Sequence, residues 1–495
     1  MLFGSSEFLF VFLPLCLLLF HILRIYANGK IAITLLVCFS LFFYGWWNPP
    51  YLLLLIGSIL LNYYFANKLF TNRSRKYLIP AVAINLLILG YFKYKNFFLE
   101  NVNFIIGKES QFGEIFIPLG ISFFTFQQIA FLIDAYDSQI KKNPGFLIYA
   151  KFVSFFPQLI AGPIVLYREI GKQLSDIKEH SKLATRFLIP GFVVFVFGLF
   201  KKVVLADGIA PYANTAFNNS HALTFLEAWA GSTCYALQLY FDFSGYSDMA
   251  IGLGLMFGLV LPLNFDTPFK SSSMIEFWKR WHITMTRFFM MYIYSPIALS
   301  ISRYANNVTS MKNLRFFCIF AVPILITFLL SGLWHGAGWN FIVFGLINGV
   351  ALALNHYWRE AKLPSPPKIL GRFLTFIVVI CSFVYFRASN VSEGNQMIAS
   401  MLSPTKIIFP DWLKRYIDAP SLHWETLSLF STGTFTLKLS IWLVILSTLS
   451  VLIPNLAKHY KVIRPNHWLA FSLALMVWLT LGWLDEPKTF LYFQF

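Results

Sequence analysis

The sequence has few charged residues for its length. Asp, Glu, Lys and Arg make up 12% of the 495 residues, whereas hydrophobic residues make up 57% and phenylalanine alone occurs 56 times. A soluble domain of this size could not bury so much apolar surface in its core. The shortage of charge therefore excludes a soluble enzyme and predicts a protein that lies within a membrane.

Motifs that mark several common enzyme sites are also missing. The sequence contains neither the Gly-x-Ser-x-Gly turn of serine hydrolases nor the His-Glu-x-x-His pair of zinc proteases. Its five cysteines lie in apolar runs without Cys-x-x-Cys spacing, so neither a metal site nor a disulfide framework is predicted. The sequence shows no internal repeat, which counts against the common transporter folds.

Apolar runs of about 16 to 25 residues follow one another along the chain and predict roughly 11–13 membrane helices. Some runs are too short, or too rich in glycine and proline, for simple spans. Residues 155–163, FFPQLIAGP, carry proline near both ends and are better suited to a broken or re-entrant segment. We expect an all-α polytopic fold with such segments around a central pore or funnel.

The whole chain, residues 1–495, is predicted to form one membrane domain. Within it we expect N-terminal scaffold spans over residues 1–110 and a catalytic core over residues 111–390. An extramembrane excursion over residues 391–435 and C-terminal spans with the FLYFQF tail over residues 436–495 complete the prediction.

The net charge of +17 arises from 39 Lys and Arg against 22 Asp and Glu. In a soluble protein this excess would indicate nucleic-acid binding, but here the basic residues lie in short loops between apolar runs. Such loops set membrane topology, and their distribution predicts that the N-terminus lies on the outer side.

One histidine lies in a stretch with almost no other polar side chain. Residues 328–348, FLLSGLWHGAGWNFIVFGLIN, hold His335 among Gly332, Gly336 and Gly338. A buried imidazole is costly without a partner, so an ionisable residue at membrane depth is a candidate for function. Glycine lets a backbone or a ligand approach closely, which indicates an accessible site. The alternative is a core histidine that is satisfied by a neighbouring helix.

Two carboxylates interrupt another apolar run. The segment QLYFDFSGYSD contains Asp242, Ser244 and Asp248 around a glycine. Carboxylates at this depth need partners. We predict that both are mainly structural and that each pairs with a buried cation such as Lys279 or Arg280.

A second histidine lies in the segment EFWKRWHITMTR, residues 276–287. On one continuous helix, Trp278, Trp281 and His282 would share a face because of their i, i+3, i+4 spacing. His282 is then predicted to lie between tryptophans, either as a group that orients a substrate or as a satisfied structural residue.

Several blocks together resemble the membrane-bound O-acyltransferase family and, within it, the bacterial branch of the alginate O-acetylation membrane protein. The blocks are spread over most of the chain in family order, which makes the resemblance specific. One departure lies in residues 285–296, MTRFFMMYIYSP, where methionine replaces the usual acidic position. The matching blocks are IPLGISFFTFQ (117–127), FPQLIAGPI (156–164), GLFKKVVLAD (198–207), YFDFSGYSDMAIGLG (240–254), EFWKRWHIT (276–284), SGLWHGAGWNFIVFGLING (331–349), FVYFR (383–387) and FLYFQF (490–495).

The resemblance implies an enzyme that moves an acetyl group from a cytoplasmic thioester, acetyl-CoA, across the inner membrane. The acceptor would be an extracytoplasmic polysaccharide of the alginate, cellulose or peptidoglycan type, reached through a periplasmic SGNH-type acetyltransferase partner. In the family the histidine that matches His335 is catalytic, and the one that matches His282 is a second functional position. Tyr492 in the terminal FLYFQF matches a tyrosine thought to carry the acyl group covalently; the alternative is an aromatic interfacial anchor.

The residue types support acyl transfer independently. Neutral imidazole is the side chain best suited near pH 7 to take a proton from an attacking hydroxyl. The developing oxyanion could be met by the glycine-rich backbone around His335, by the N–H of Trp339 or by Asn340. The predicted substrate-binding residues are Trp334, Asn340, Trp278, Trp281, Gln127, Asp242 and Ser244.

Two other functions remain open from the sequence. A related family subunit transfers D-alanyl groups to teichoic acids, so another acyl group and polymer would fit the same motifs. A proton-coupled transporter would instead use the buried ionisable groups as an ion path, which would run through Asp242, Asp248, His282 and His335.

Overall fold

The computed structural model describes residues 1–26, 29–107, 113, 115–175, 177–308, 312–403, 409–410, 414, 424–425, 433–484 and 490–491. Within these ranges the regular structure is helical, apart from one parallel pair of two-residue strands, β1 (Phe409–Pro410) and β2 (Trp424–Glu425). The predicted all-α fold is confirmed.

The α-helices vary from single turns to long spans. Short π-helical segments, such as Lys201–Ala206 and Met290–Tyr294, join some of them end to end. In chain order the helices are α1 (Leu13–Tyr26), α2 (Gly29–Gly45), α3 (Pro49–Thr71), α4 (Arg75–Ile106), α5 (Ile121–Tyr136), α6 (Phe146–Ser154), α7 (Phe156–Leu159), α8 (Tyr167–Ser175), α9 (Ile177–Arg186), α10 (Leu188–Phe200), α11 (Asp207–Asn218), α12 (Phe225–Met256), α13 (Met274–Trp278), α14 (Ile283–Phe289), α15 (Ser295–Val308), α16 (Lys312–Phe316), α17 (Val322–His335), α18 (Trp339–Glu360), α19 (Lys368–Arg387), α20 (Val391–Leu402), α21 (Gly433–Leu452) and α22 (His467–Leu481).

Eight helical segments in the described part of the chain are long and apolar enough to cross a membrane. Two shorter apolar helices, α2 and α22, add to them. The sequence predicted roughly 11–13 segments, a count that included short and interrupted runs. The predicted segments also include the 32-residue helix α12, which is not among the eight. Buried polar side chains such as Asp242 and Asp248 lower its mean hydropathy. The protein is therefore a multi-pass membrane protein.

The helices form two compact units. The first comprises Met1–Val203, Ser244–Asn264 and Leu456–Gln494, and the second comprises Val204–Phe243 and Phe265–Asn455.

In the first unit, glycines let α10 and α12 approach closely. A Cβ atom on Gly198 would lie 2.6 Å from the carbonyl oxygen of Gly245. Further along the same crossing, a Cβ on Gly252 would lie 2.6 Å from the carbonyl oxygen of Gly191. Both helices therefore need small residues at these positions, as is typical of helices that pack in membranes.

The predicted broken segment is present in the first unit. Helix α6 ends at Ser154, α7 covers only Phe156–Leu159, and the chain then continues without a helix until Tyr167. The residues of this break are buried, as expected for irregular backbone at membrane depth. The amphipathic stretch that follows forms α8 and α9.

The second unit is built around the antiparallel pair α17 and α18. A Cβ on Gly332 would overlap the carbonyl oxygen of Phe341, and one on Gly345 would overlap the carbonyl oxygen of Phe328. The two glycines thus fix how closely these helices pack, and α19 packs against α18. Of the predicted excursion over residues 391–435, α20 lies within the described residues, whereas most of the remainder lies outside them.

Candidate active site

His335 is the last residue of α17 in the second unit. Its side chain is buried, with 5% of its surface exposed. The imidazole ring lies 4.8 Å from the indole of Trp334, 5.0 Å from the ring of Phe386 and 5.7 Å from that of Phe344, measured between centroids. The helix end therefore places an ionisable ring inside an aromatic enclosure.

The glycines around His335 serve packing more than access. At Gly336 the backbone is extended, and α18 begins after Gly338. A Cβ on Gly336 would overlap the ring of Phe341, and one on Gly338 would overlap the side chain of Asn340. The expectation that these positions leave room for a ligand is wrong for Gly336, because the neighbouring aromatic ring fills that space.

His282 lies at a break between two short helices. Helix α13 ends at Trp278, α14 begins at Ile283, and the backbone of His282 is left-handed, with φ of 43°. The predicted continuous helix over residues 276–287 is therefore wrong. A left-handed residue cannot continue a right-handed helix, and for a side chain other than glycine this conformation costs roughly 1–3 kcal/mol.

The break in the helix directs the ring of His282 toward a cluster of aromatic side chains. This side chain is fully buried; its ring lies 4.7 Å from that of Phe243, edge to face, and 6.3 Å from that of Phe265, nearly parallel. It also lies 6.1 Å from the indole of Trp334. The structure thus brings the two predicted histidines to the same indole ring.

A cavity of about 490 Å³ lies beside this site within the second unit. Its wall includes Phe289, whose ring lies 6.3 Å from Trp334. The wall is mainly apolar, yet two buried polar atoms in it, Nε1 of Trp278 and Oγ1 of Thr286, have no hydrogen-bond partner among the described residues. Leaving such atoms unsatisfied costs about 1–3 kcal/mol each, which favours a cavity that takes a polar ligand.

Along α17 the cavity wall runs toward His335. Thr327 and Ser331 line the cavity, and with His335 they follow i, i+4, i+8 spacing on one face of the helix. From α18 the cavity receives the imidazole of His356 and the guanidinium of Arg359, and Lys279 adds an ammonium group. These basic side chains make the cavity suited to an anionic ligand.

Comparisons with known proteins identify relatives over the whole chain. The profile of MBOAT, the membrane-bound O-acyltransferase family, matches residues 138–395. The whole chain is 37% identical to the peptidoglycan O-acetyltransferase of Helicobacter pylori (strain ATCC 700392 / 26695) and covers 98% of it. This chain belongs to the membrane-bound O-acyltransferase family.

The names of other relatives give different acceptor polymers. Over 83% of this chain and 79% of the relative, the sequence is 36% identical to the protein of Azotobacter vinelandii named probable alginate O-acetylase AlgI. The teichoic acid D-alanyltransferase of Bacillus subtilis is more distant, at 26% identity over 54% of this chain and 65% of that protein. Membership of the family makes the chain an acyltransferase of the membrane.

Asn340 and Gln127 of this acyltransferase are engaged with backbone. The Nδ2 of Asn340 donates to the carbonyl oxygens of Ala388, at 2.8 Å, and Tyr385, at 3.2 Å. These two bonds use both amide hydrogens, so Asn340 holds the end of α19 in place. In the first unit, Nε2 of Gln127 donates to the carbonyl oxygen of Phe152 at 2.8 Å.

The predicted tryptophans have different surroundings. Trp281 is buried and its indole lies 5.1 Å from the ring of Phe265 and 5.0 Å from that of Phe383. Trp278 lines the cavity, with its indole 4.9 Å from the ring of Phe328. Their i, i+3 relation on a helix is lost because α13 ends at Trp278.

The predicted pairing of Asp248 with a buried cation is confirmed, but the partner is Lys201 and not Lys279 or Arg280. In the first unit its Oδ2 lies 2.7 Å from Nζ of Lys201, a buried ion pair. Arg280 instead bonds Glu276, with 2.9 Å between Nη2 and Oε1. Lys201 was missed because it lies 47 residues from Asp248 in sequence, and only the packing of α10 against α12 brings the two together.

Asp242 and Ser244 are buried on α12, which runs through both units. The hydroxyl of Ser244 has no hydrogen-bond partner among the described residues. Tyr492 lies outside the described residues. Phe490, two residues before it, is buried, with its ring 4.7 Å from that of Tyr246.

The sequence reasoning missed the basic side of the cavity. Leu352, His356 and Arg359 all line it and follow i, i+4, i+7 spacing along α18. A basic stripe at helical spacing on a membrane helix is the signal that could have identified these residues.

Proposed function

We propose that this chain transfers an acetyl group from a cytoplasmic thioester, acetyl-CoA, for O-acetylation of an extracytoplasmic polysaccharide. The observation that carries the proposal is the convergence of His335 and His282 on Trp334 beside a cavity with basic residues. The relatives named as peptidoglycan and alginate acetylating proteins support the acetyl group and a polymer acceptor of the alginate or peptidoglycan type. A cellulose-type acceptor is supported by the motif resemblance alone. The location is the inner, cytoplasmic membrane of a bacterium.

The lining of the cavity supports acetyl-CoA as the donor. Coenzyme A carries phosphates at one end and an arm with two amide groups that ends in the thioester. Lys279 and Arg359 offer charge-assisted bonds to phosphate. The imidazole of His356, the indole N–H of Trp278 and the hydroxyl of Thr286 offer hydrogen bonds to the amides. Ser331, one helical turn before His335, lines the cavity on the face of α17 that leads to this histidine.

In the proposed reaction His335 acts as the general base. As a hydroxyl oxygen attacks the thioester carbonyl, its proton passes to the imidazole, the new C–O bond forms and the C–S bond breaks. The imidazolium then returns the proton to the departing thiolate, so no oxidant or metal is consumed. Such base catalysis contributes typically a factor of 10²–10⁴ to the rate.

The attacking hydroxyl is proposed to be the phenol of Tyr492 in the C-terminal tail. Its ester would then be a donor to a periplasmic SGNH-type acetyltransferase, which acetylates the polymer. Phe490, two residues before Tyr492, is buried against Tyr246, which fixes the chain in the first unit at that residue. A covalent relay of this kind divides one transfer across the membrane into two easier steps.

Inverted membrane vesicles with [1-¹⁴C]acetyl-CoA test the proposal. Wild-type vesicles should incorporate label into this chain, and mass spectrometry should find the acetyl group on Tyr492. Tyr492→Phe keeps the aromatic ring and should remove the label. Equal labelling of that variant would contradict the relay. In a parallel assay with a labelled D-alanyl thioester, labelling by that donor alone would show that the transferred group is D-alanyl and not acetyl.

A further inference from the structure

A second cavity lies in the first unit, and the proposed function uses none of the residues that line it. It measures about 400 Å³ and is lined by Gln173, Arg186, Phe187, Val260, Tyr460 and Lys461, with Leu183 at its edge. The lining combines two cations with aromatic and aliphatic side chains. Among the described residues no carboxylate lines this cavity.

The two cations are held over a pair of aromatic rings. The rings of Phe187 and Tyr460 meet edge to face, with centroids 5.0 Å apart. The guanidinium of Arg186 lies 5.2 Å from the ring of Phe187, and the ammonium of Lys461 lies 5.9 Å from that of Tyr460. This arrangement gathers two positive charges at one place, and neither forms a salt bridge to a described carboxylate. A bound anion would relieve the repulsion between them.

The walls of the cavity are fixed. Gln173 on α8 accepts from the backbone N–H of Val260 at 2.9 Å, which ties α8 to the loop after α12. Next to Arg186, the hydroxyl of Thr185 accepts from Nη1 of Arg24 at 2.8 Å. The end of α9 therefore has a defined position, which favours a preformed site over a mobile surface.

The cavity lies where apolar helices begin. Arg186 is the last residue of the polar, amphipathic α9, and the apolar span Leu188–Asn218 starts two residues later. Lys461 lies in the 3₁₀ turn Tyr460–Val462, shortly before the apolar helix α22, which packs against α10. Basic and aromatic residues at helix ends lie at the depth of lipid headgroups.

We propose that this cavity binds the phosphate of an anionic phospholipid headgroup. Arg186 and Lys461 bond the phosphate, while Phe187, Tyr460 and Val260 contact the glycerol and the first methylenes of the acyl chains. The membrane supplies this ligand at the depth of the cavity, and the two adjacent cations select against zwitterionic headgroups. Each basic residue near an anionic membrane surface contributes about fivefold to binding, so the pair contributes roughly 25-fold.

The test uses the purified full-length protein in a neutral detergent. Thermal unfolding is followed while dioctanoyl phosphatidylglycerol is titrated, with dioctanoyl phosphatidylcholine and inorganic phosphate as separate arms. A ligand that binds only the folded state raises Tm by an amount that grows with the logarithm of its concentration divided by its Kd. Wild type should be stabilised by phosphatidylglycerol at concentrations at which the other two compounds have no effect.

Variants connect the effect to the cavity. Arg186→Gln with Lys461→Gln should weaken the apparent affinity for phosphatidylglycerol roughly 25-fold. Arg464→Gln removes the same charge from an exposed residue in the same loop and should leave the affinity unchanged. Lys461→Arg keeps the charge and should retain binding if the double variant unfolds. Equal stabilisation of the double variant, or an equal response to phosphatidylcholine, overturns the proposal; stabilisation by phosphate alone assigns the cavity to a soluble anion instead.

Discussion

The indole of Trp334 lies 6.1 Å from the imidazole of His282, although the two residues belong to separate segments of the second unit. Trp334 precedes His335 on α17, whereas His282 sits at a left-handed break between α13 and α14. The same indole contacts both imidazoles, so a change in the backbone at His282 will be felt at His335. This relationship makes the conformation of His282 a testable part of the site.

Substitutions at His282 should separate its ring from its backbone. His282→Ala loses the imidazole and keeps the strain of a positive φ, whereas His282→Gly loses the imidazole and relieves the strain. Both should lower acetyl transfer as much as His335→Ala or less. His282→Val should in addition lower Tm, since a β-branched residue is strongly disfavoured at positive φ. A Tm for the valine variant equal to that of the glycine variant would show that the left-handed conformation is absent.

The Lys201–Asp248 pair is predicted to stabilise the protein without direct action in catalysis. Asp248→Asn leaves a buried ammonium without its charge partner, which costs about 3–5 kcal/mol. The yield of folded protein should fall before the specific activity does. The double variant Lys201→Met, Asp248→Leu removes both charges and should recover yield relative to the single variant. Normal yield with no activity in Asp248→Asn would point instead to a catalytic role for this carboxylate.

Close packing of α17 on α18 predicts a strong effect of a single methyl group. Gly345→Ala places a Cβ on the carbonyl oxygen of Phe328, so the helices must separate and the aromatic enclosure of His335 must shift. We expect lower Tm and lower activity. Gly57→Ala is the matched control, because a Cβ there meets nothing within 4 Å. An equal Tm for the two variants would show that α17 and α18 do not approach each other closely at Gly345.

Removal of charge from the cavity of the second unit should weaken donor binding selectively. Arg359→Gln and Lys279→Gln should each raise KM for acetyl-CoA about tenfold or more, because each removes a charge-assisted bond to phosphate, while kcat changes little. The control is Arg372→Gln on α19, which is exposed and does not line the cavity. An unchanged KM in both cavity variants would place the donor elsewhere.

Much of the fold could be predicted from local sequence. Apolar runs indicated the spans, and prolines with glycine in FFPQLIAGP indicated the break between α6 and α7, since these residues disfavour continuous helix. The isolation of His335 among apolar residues likewise marked it before any contact was known.

Other features depended on tertiary packing. The helical spacing of Trp278, Trp281 and His282 favoured one continuous helix. In the structure His282 instead has a left-handed backbone, which ends the helix, and its ring packs against Phe243. The partner of Asp248 could not be read from sequence, because Lys201 reaches it only where α10 crosses α12. Lys201 and Asp248 are far apart in the sequence and adjacent in the structure, so the sequence alone left several cations as equally plausible partners for this carboxylate.

The most direct test of the account is acetyl transfer by His335→Ala. The purified variant should elute from a size-exclusion column as wild type does. His335 is the last residue of α17, and the smaller alanine side chain creates no steric overlap there. It should then transfer [1-¹⁴C]acetyl from acetyl-CoA at least 10²-fold more slowly than wild type, the loss expected for removal of a general base. Transfer within a few-fold of the wild-type rate by such a folded variant would contradict the assignment of His335 as the base.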